Sequence, residues 1–448
     1  MCGSLEIKES ASVDIKGTAT NGRAAILGSA TISSNGPVKI ENQTSNDWKA
    51  GAAVGYKDDP NITGTILEVK KSASVEVIGA GVNPTLGGWA SIKSSGDVSI
   101  TNSLGGSAVG RGLTVTTGGA VTVTGDNDAA IKSKATITAG RNVSIQNKSG
   151  IATLNNDADI TSRGAVSITN TGSGLAVSGD LTVHDSNSVK VSGGNASAPA
   201  VDGNITLTSS DKMELSNPKG QVTSKKLTVK NSTGEVSVTG NKSDGSALVQ
   251  GGASIDTTGA VTITNSSGPA IFSGLNVKQS GGITVTGSQT SAPIITGNST
   301  IKDTNKVEII NNEISGKTAQ NITYTPPAGK GYFYRTAQNG TKLHTRSAIS
   351  STTPYLCIEP DTLYTLLTQP EGVTATTGGT KDTKFYAGES VTVTAPADTE
   401  TTKFEKWTFS GTEPTGLPNG WETSKEFTFK MPASNVTLGA RWPAISKY

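Results

Sequence analysis

The sequence has few cysteines, few aromatic residues and no long apolar run, and each shortage excludes a class of protein. Its 448 residues include 2 cysteines, Cys2 and Cys357, far apart in the chain, so no disulfide framework is expected. Aromatic residues make up 4%, and the 54 glycines indicate more turns than an ordinary enzyme core has. No apolar run approaches the roughly 18 residues of a membrane-spanning helix. The formal net charge of +2, with both signs interspersed, presents no basic face to nucleic acid or anionic lipid.

What the chain does contain is a repeating pair of short alternating strands, seen twice between Leu113 and Asn147. In the first copy the apolar residues Leu113 and Val115 precede a polar turn, which Val121 and Val123 follow. Alternation with a period of two predicts half-buried β-strands, with the aliphatic side chains inward and Thr, Ser or Lys outward. No segment has the pattern of a helix, so the fold class is predicted to be all-β.

The inward residue of the first strand serves as a marker of the repeat. Apart from one longer step, between Ile32 and Val69, successive markers are 22 to 26 residues apart. A fixed period of this length indicates a solenoid. The markers are Ile7, Ile32, Val69, Ile92, Val115, Ile137, Ile160, Val183, Leu207, Val229, Ile255, Val277 and Ile301.

Ten residues after the marker, twelve of the thirteen units have Gly or Asn, and the thirteenth has Thr239 with Gly240 one place later. Gly and Asn adopt the left-handed αL conformation more readily than other residues. We therefore expect each coil to turn through an αL corner here, with the Asn amides hydrogen-bonded between coils. The corner residues are Gly17, Gly79, Gly125, Gly193 and Gly287, and Asn42, Asn102, Asn147, Asn170, Asn217, Asn265 and Asn311.

A third short apolar piece follows each corner, as at Ala130-Ile131 and Ala270-Ile271. With three strands in a coil of about 23 residues, the segment from Leu5 to Asn312 resembles the pectin-lyase-like β-helices, which include polysaccharide lyases, adhesins and phage tailspikes. The resemblance implies a right-handed parallel β-helix. Thirteen coils at the spacing of stacked strands would form a rod about 60 Å long.

Carboxylates on the outward face of the second strand are the first candidates for catalysis. They alternate with lysines in one column, as in Asp14, Lys39 and Glu76 of successive coils and in Lys190 beside Glu214. Opposite charges on neighbouring strands stabilise a sheet, so we interpret them as structural. The acidic turns lack the Gly-Gly-x-Gly-x-Asp calcium repeat, and no metal or other cofactor is expected.

The period fails after residue 312, and two further segments are predicted. Residues 313–368 form an aromatic-rich cap and linker, because a solenoid needs a different sequence to cover its last coil. Residues 369–443 resemble the divergent internalin B-repeat, a small β-rich module of secreted and wall-attached bacterial proteins. The resemblance depends on Ala387-Gly388-Glu389, Val391, Val393, Phe404, Trp407, Met431-Pro432 and Asn435-Val436-Thr437.

One candidate ligand site lies in the solenoid. Trp48 and Tyr56 are in a long insertion after Asn42, and Trp89 follows the corner one coil later. Equivalent loops of consecutive coils emerge on the same edge, so the rings can meet as an aromatic platform for a sugar. The alternative is that the rings pack the insertion onto the rod.

These features together predict a bacterial cell-surface structural or adhesion protein, extracellular and monomeric, with a leader and an anchor outside this sequence. Its partner would be a glycan or a host or cell-wall surface component, and no enzyme activity is expected. The alternative is a polysaccharide lyase or glycoside hydrolase on the same fold, since fold alone does not determine function. The two histidines, His184 and His344, are too far apart in sequence to be nominated as a catalytic pair.

Overall fold

The computed structural model describes residues 4–17, 24–42, 52–55, 64–194, 197–345, 347–369 and 372–444. The chain divides into two compact units. The first comprises residues 1–325, 335–341 and 346–357, and the second comprises residues 326–334, 342–345 and 358–448. The segment predicted as cap and linker, 313–368, is thus divided between the two units.

The first unit is an all-β solenoid of about 13 turns, as the period predicts. Each turn contributes one strand to a first parallel sheet, sheet A, and one to a second, sheet B. The strands of the turns are β1 (Leu5–Ser10), β2 (Val13–Gly17), β3 (Ala30–Ser34), β4 (Val38–Asn42), β5 (Thr65–Lys71), β6 (Val75–Gly79), β7 (Trp89–Ser94), β8 (Val98–Asn102), β9 (Leu113–Thr117), β10 (Val121–Gly125), β11 (Ala135–Ala139), β12 (Val143–Asn147), β13 (Ala152–Leu154), β14 (Ala158–Ser162), β15 (Ala165–Asn170), β16 (Leu175–Val177), β17 (Leu181–His184), β18 (Ser188–Ser192), β19 (Ile205–Thr208), β20 (Lys212–Asn217), β21 (Leu227–Ser232), β22 (Val236–Gly240), β23 (Ala253–Thr257), β24 (Ala260–Asn265), β25 (Leu275–Gln279), β26 (Gly282–Gly287), β27 (Pro293–Lys302) and β28 (Val307–Asn311).

The remaining strands follow in chain order. They are β29 (Lys317–Thr325), β30 (Lys330–Arg335), β31 (Leu343–His344), β32 (Ile349–Ser351), β33 (Tyr355–Gln369), β34 (Thr374–Thr377), β35 (Thr380–Lys381), β36 (Lys384–Tyr386), β37 (Ser390–Thr394), β38 (Lys406–Gly411), β39 (Glu426–Lys430) and β40 (Val436–Arg441), with one 3-10 helix at Trp421–Thr423.

Register in sheets A and B is set by the marker pattern. Ile137 pairs with Val115 on one side and Ile160 on the other, and Ile145 pairs with Val123 and Ile168. These aliphatic side chains are almost entirely buried. A one-residue slip would turn every one of them outward, so burial of one face fixes the stacking.

The third strand of each coil lies where the sequence predicts it, but it is short. Most coils contribute a single bridged residue there, as in the series Leu86, Val109, Ile131 and Leu154, and β13 and β16 are its only three-residue strands among the described residues. The residues are fully buried. Backbone hydrogen bonds connect this face from coil to coil, as from Gly110 N to Leu86 O at 2.7 Å and from Val109 N to Ala130 O at 2.9 Å.

The solenoid sheet continues past the predicted end at Asn312. Strand β29 pairs in parallel with β27, and β32 then pairs antiparallel to β29. The parallel stacking of coils therefore ends at this edge of sheet A, where the last strand is antiparallel.

The second unit contains a small antiparallel sheet in the order β35-β34-β37-β39, together with β40 between β33 and β38. Its core is aromatic, and Trp407, Phe385 and Phe429 are at most 1% exposed. The Trp407 ring centre lies 5.1 Å from that of Phe404 and 5.7 Å from that of Phe427. Several residues that carried the resemblance to the B-repeat thus form this core.

Candidate functional site

The corner residues stack in register down sheet B. Gly79 pairs with Asn102, Gly125 with Asn147, and Asn147 with Asn170. The Asn side chains are at most 4% exposed. The predicted αL conformation is wrong, because none of these asparagines or glycines has a positive φ.

Hydrogen bonding explains the asparagines. The Asn102 Nδ2 donates to Ser107 O of its own coil at 3.2 Å and to Asn83 O of the preceding coil at 2.8 Å. Asn265 does the same with Pro269 O at 2.7 Å and Lys242 O at 3.2 Å, and its Oδ1 accepts the Lys242 N–H at 2.8 Å. The amide therefore satisfies buried backbone groups in two loops at once, which no aliphatic side chain can do. The partners are backbone groups, not other Asn amides.

Close packing explains the glycines. A Cβ on Gly125 would lie 2.7 Å from Ala130 Cα, and one on Gly193 would lie 2.8 Å from Ala200 Cα. In these coils the following loop occupies the volume that an Asn side chain fills elsewhere. Glycine is needed here for space, not for its backbone conformation.

The exception at Thr239 has a local cause. Gly240, not Thr239, pairs with Asn217 and with Asn265. One extra residue enters the coil at a bulge in β21, where Asn231 has φ 50°. The corner is therefore displaced by one position.

A second polar ladder, which sequence reasoning missed, lies at the turn between the sheet A strand and the sheet B strand. Ser162 Oγ donates to Arg141 O of the preceding coil at 2.7 Å and accepts the Gly164 N–H at 3.1 Å. Thr257 makes the same two bonds with Gly234 O and Gly259 N. The signal in the sequence was Ser or Thr two residues before Gly.

The αL conformation occurs at this turn instead of the corner. Five of the six non-glycine residues with positive φ in the described chain directly precede a hydroxyl residue at this turn. Asp185, Ser209, Asn231 and Asp303 precede a buried one, and Glu9 precedes the half-buried Ser10. Each adds one residue between the marker and the hydroxyl residue. In every one of these coils except that of Asn231, the segment that follows is one residue shorter, so the corner keeps its position. A short polar side chain tolerates the αL conformation best.

The predicted aromatic platform can be located only in part, because Trp48 and Tyr56 lie outside the described residues. The prediction placed Trp89 in the loop after Gly79, but Trp89 is the first residue of β7 and is partly buried. Its ring lies on Gly112 of the next coil, where a Cβ would overlap the ring carbons. One face of the ring is therefore packed against the solenoid. This agrees with the alternative given above, in which the aromatic rings serve packing on the rod.

The outward charges of sheet B pair between coils. Lys39 Nζ lies 3.0 Å from Glu76 Oε2, and Lys190 Nζ lies 3.3 Å from Glu214 Oε1. The hydrogen bond to Glu76 raises the pKa of Lys39. The predicted pairing of these carboxylates with lysines is confirmed at both places.

A column of charges on the outer face of sheet A was also missed. Lys230, Asp256, Lys278 and Lys302 each follow the marker by one residue in consecutive coils. Lys278 Nζ bonds to Asp256 Oδ2 at 2.8 Å. An open groove of about 460 Å³ runs beside this column.

The second unit brings His344 to a carboxylate that lies 17 residues away in sequence. His344 Nε2 is 2.9 Å from Asp361 Oδ2, and its ring stacks on that of Tyr386 at 3.9 Å. Burial opposes ionisation of Asp361, but hydrogen bonds from His344 and from the Thr362 N–H hold its pKa below the usual value. The Tyr386 hydroxyl accepts the Tyr332 N–H at 2.9 Å, so this cluster fastens β30 and β31 to β36.

No three His, Cys, Asp or Glu side chains in the described ranges lie close enough together to hold a metal ion. No helix in the same ranges is long and apolar enough to cross a membrane.

Comparison with known proteins gives one match, in the second unit. No curated protein and no solved structure matches the chain. Residues 370–446 match the family described as the divergent InlB B-repeat domain. The resemblance inferred from the motif residues between Ala387 and Thr437 is thus supported for this segment.

Proposed function

We propose that the chain belongs to a bacterial cell-surface protein in which the solenoid is an extracellular structural rod that adheres to a glycan or to another surface component. The match of residues 370–446 to the divergent InlB B-repeat family suggests a bacterial surface protein. A β-solenoid is compatible with that setting. The adhesive role and the glycan are the parts that need testing.

One observation carries the proposal, namely the two polar ladders that bond neighbouring coils. At many corners and strand turns a buried side chain bonds to the backbone of the preceding coil, as at Asn102 and Ser162. Repeated nearest-neighbour bonding of this kind stiffens a solenoid along its length. Outward charges also occur in opposite pairs, such as Lys190 with Glu214.

Trp89 is the described residue with which the adhesive role can be tested. Trp89→Ala is expected to abolish or strongly reduce binding on a glycan array, because an aromatic ring held on a rigid strand is a stacking surface for a sugar. The melting temperature should change little, since the ring is only partly buried.

The matched control is Trp421→Ala, which removes a partly buried tryptophan from the second unit. It should leave the array signal unchanged. Glycan binding that persists in Trp89→Ala would exclude the ring from the site.

The alternative function is cleavage of a polysaccharide, and the outward carboxylates of sheet B decide it. We expect the amide variants Glu76→Gln and Glu214→Gln to change the free energy of unfolding by about 1 kcal/mol or less, as for other exposed ion pairs. The parent protein should release neither reducing ends nor unsaturated products from a polysaccharide panel. Turnover in the parent that disappears in either variant would favour the enzyme.

A further inference from the structure

The outer face of sheet A carries an open groove lined by three lysines and one carboxylate. The groove has a volume of about 460 Å³ and crosses four consecutive strands, β21, β23, β25 and β27. That volume lies within the range of ligand-binding clefts. We call this surface the basic groove.

Two lysines in the basic groove have no acidic partner in the described chain. Lys278 is paired with Asp256, whose carboxylate also accepts a hydrogen bond from Gln279 Nε2 at 2.9 Å. Lys230 and Lys302 stand in the same column, before and after this pair, and both are exposed with no ion pair. An anion entering the groove therefore meets two ammonium groups that are not already neutralised.

A column of hydrogen-bonding side chains runs parallel to the lysines. Thr228 pairs with Ser254, Ser254 with Asn276, and Asn276 with Thr300, and all four line the groove. Since stacked strands are about 4.8 Å apart, the groove offers one neutral donor or acceptor and one charged or paired group per coil. Such a repeat fits a linear polymer lying across the coils.

The chemistry of the lining selects among polymers. No aromatic ring and no arginine is among the residues that line the groove. Stacking on neutral sugars depends on aromatic faces, and bidentate recognition of a carboxylate depends on a guanidinium. Lysine acts as a point charge and is well suited to phosphate.

We propose that the basic groove binds one strand of a polyol phosphate, an extended polymer with one phosphodiester per hydroxylated unit. Lys230 and Lys302 bind the phosphodiesters, and Thr228, Ser254, Asn276 and Thr300 bind the hydroxyls. The inference deepens the proposed adhesive function, and it rests on that function only in placing the ligand among the polymers of a bacterial surface. The basic groove is distinct from the surface around Trp89.

The test measures binding of poly(glycerol phosphate) to the full chain by biolayer interferometry at several salt concentrations. Lys230→Gln combined with Lys302→Gln is expected to weaken binding roughly tenfold or more at low ionic strength. The slope of log affinity against log salt should decrease in magnitude by about two, one for each lysine removed.

Two further variants make the test specific. Lys148→Gln combined with Lys212→Gln removes two exposed lysines outside the groove, and should leave the affinity unchanged. Asp256→Asn removes the one acidic group of the groove and frees Lys278, so it should strengthen binding roughly two- to fivefold.

The competing polymers decide the ligand class. Polygalacturonate that binds more tightly than poly(glycerol phosphate) would overturn the choice of phosphate, and vesicles of phosphatidylglycerol that bind more tightly would place a membrane in the groove instead. Equal binding by parent and the Lys230→Gln, Lys302→Gln variant, or none by the parent, would overturn the site itself. Glycan-array binding lost in Trp89→Ala would still stand in that case, so the two proposals fail separately.

Discussion

Replacing Trp407 with alanine is expected to unfold the second unit and to leave the solenoid folded. The indole is 1% exposed and its centre lies within 6.3 Å of the ring centres of Phe404, Phe427 and Trp442. Truncation of a buried aromatic residue costs about 3–5 kcal/mol, which is a large part of the roughly 5–15 kcal/mol that stabilises a domain. Limited proteolysis of the full chain should then cleave within residues 370–446, while far-ultraviolet circular dichroism keeps most of its β signal.

The control for this prediction is Trp407→Phe. It keeps most of the apolar volume and loses the hydrogen bond from Trp407 Nε1 to Ser424 O, which is 2.7 Å long. A loss of about 1–2 kcal/mol is expected, because the carbonyl is left without that donor. Resistance of Trp407→Ala to the protease, equal to that of the parent, would show that this core does not hold the unit together.

The second large effect is expected at the corner ladder. Asn265→Leu should destabilise the solenoid by about 2–4 kcal/mol, because the backbone groups of Lys242 and Pro269 lose three hydrogen bonds inside the protein. Asn265→Gly should also be costly, since glycine supplies none of these bonds. Urea unfolding followed by circular dichroism, with hydrogen exchange in β22 and β24, measures both.

Asn147→Leu is the matched control at the same corner of another coil. The Asn147 side chain makes one hydrogen bond, from Nδ2 to Ala152 O at 2.7 Å, and its Oδ1 is buried without a partner in the described chain. The loss should therefore be smaller, about 1 kcal/mol. A silent Asn265→Gly variant would instead support an αL corner and contradict the hydrogen-bonding explanation.

The corner shows how far the sequence could predict the fold. The spacing of the markers predicted the stacking, since a marker such as Ile137 can be buried in only one register. Residue type located the corner, but Gly and Asn can be selected for two kinds of reason. Both tolerate a positive φ; in addition, Gly has no side chain to accommodate and Asn has an amide that forms hydrogen bonds. Only the coordinates distinguish these reasons. At Gly125 the absence of a side chain matters, and at Asn102 the hydrogen bonds of the amide matter.

The sequence did not predict the basic groove or the contact of His344 with Asp361, and the physical reason differs between the two. The sequence did not predict the basic groove, because the predictions used the inward markers and the outward residues of sheet B. Lys230 and Lys302 lie on the outer face of sheet A and belong to neither set. The contact of His344 with Asp361 depends on the pairing of β30 with β31, for which no periodic pattern exists. The residues of the aromatic platform other than Trp89 lie outside the described ranges, so that prediction stays a prediction.

The third face of the solenoid, where most coils share a single bridged residue, has a consequence for how such a chain can change. Apart from the longer step between Ile32 and Val69, spacing between markers varies from 22 to 26 residues, yet the strands of sheets A and B pair in unbroken order across the described coils. Loops between the corner and the third face can therefore lengthen at little cost, since only a few residues of each coil are bonded there and loop closure entropy grows slowly with length. Evolution could add recognition loops there coil by coil, and a foreign peptide epitope grafted after Gly245, in the exposed loop between the corner Gly240 and the third face, should be displayed without loss of the scaffold.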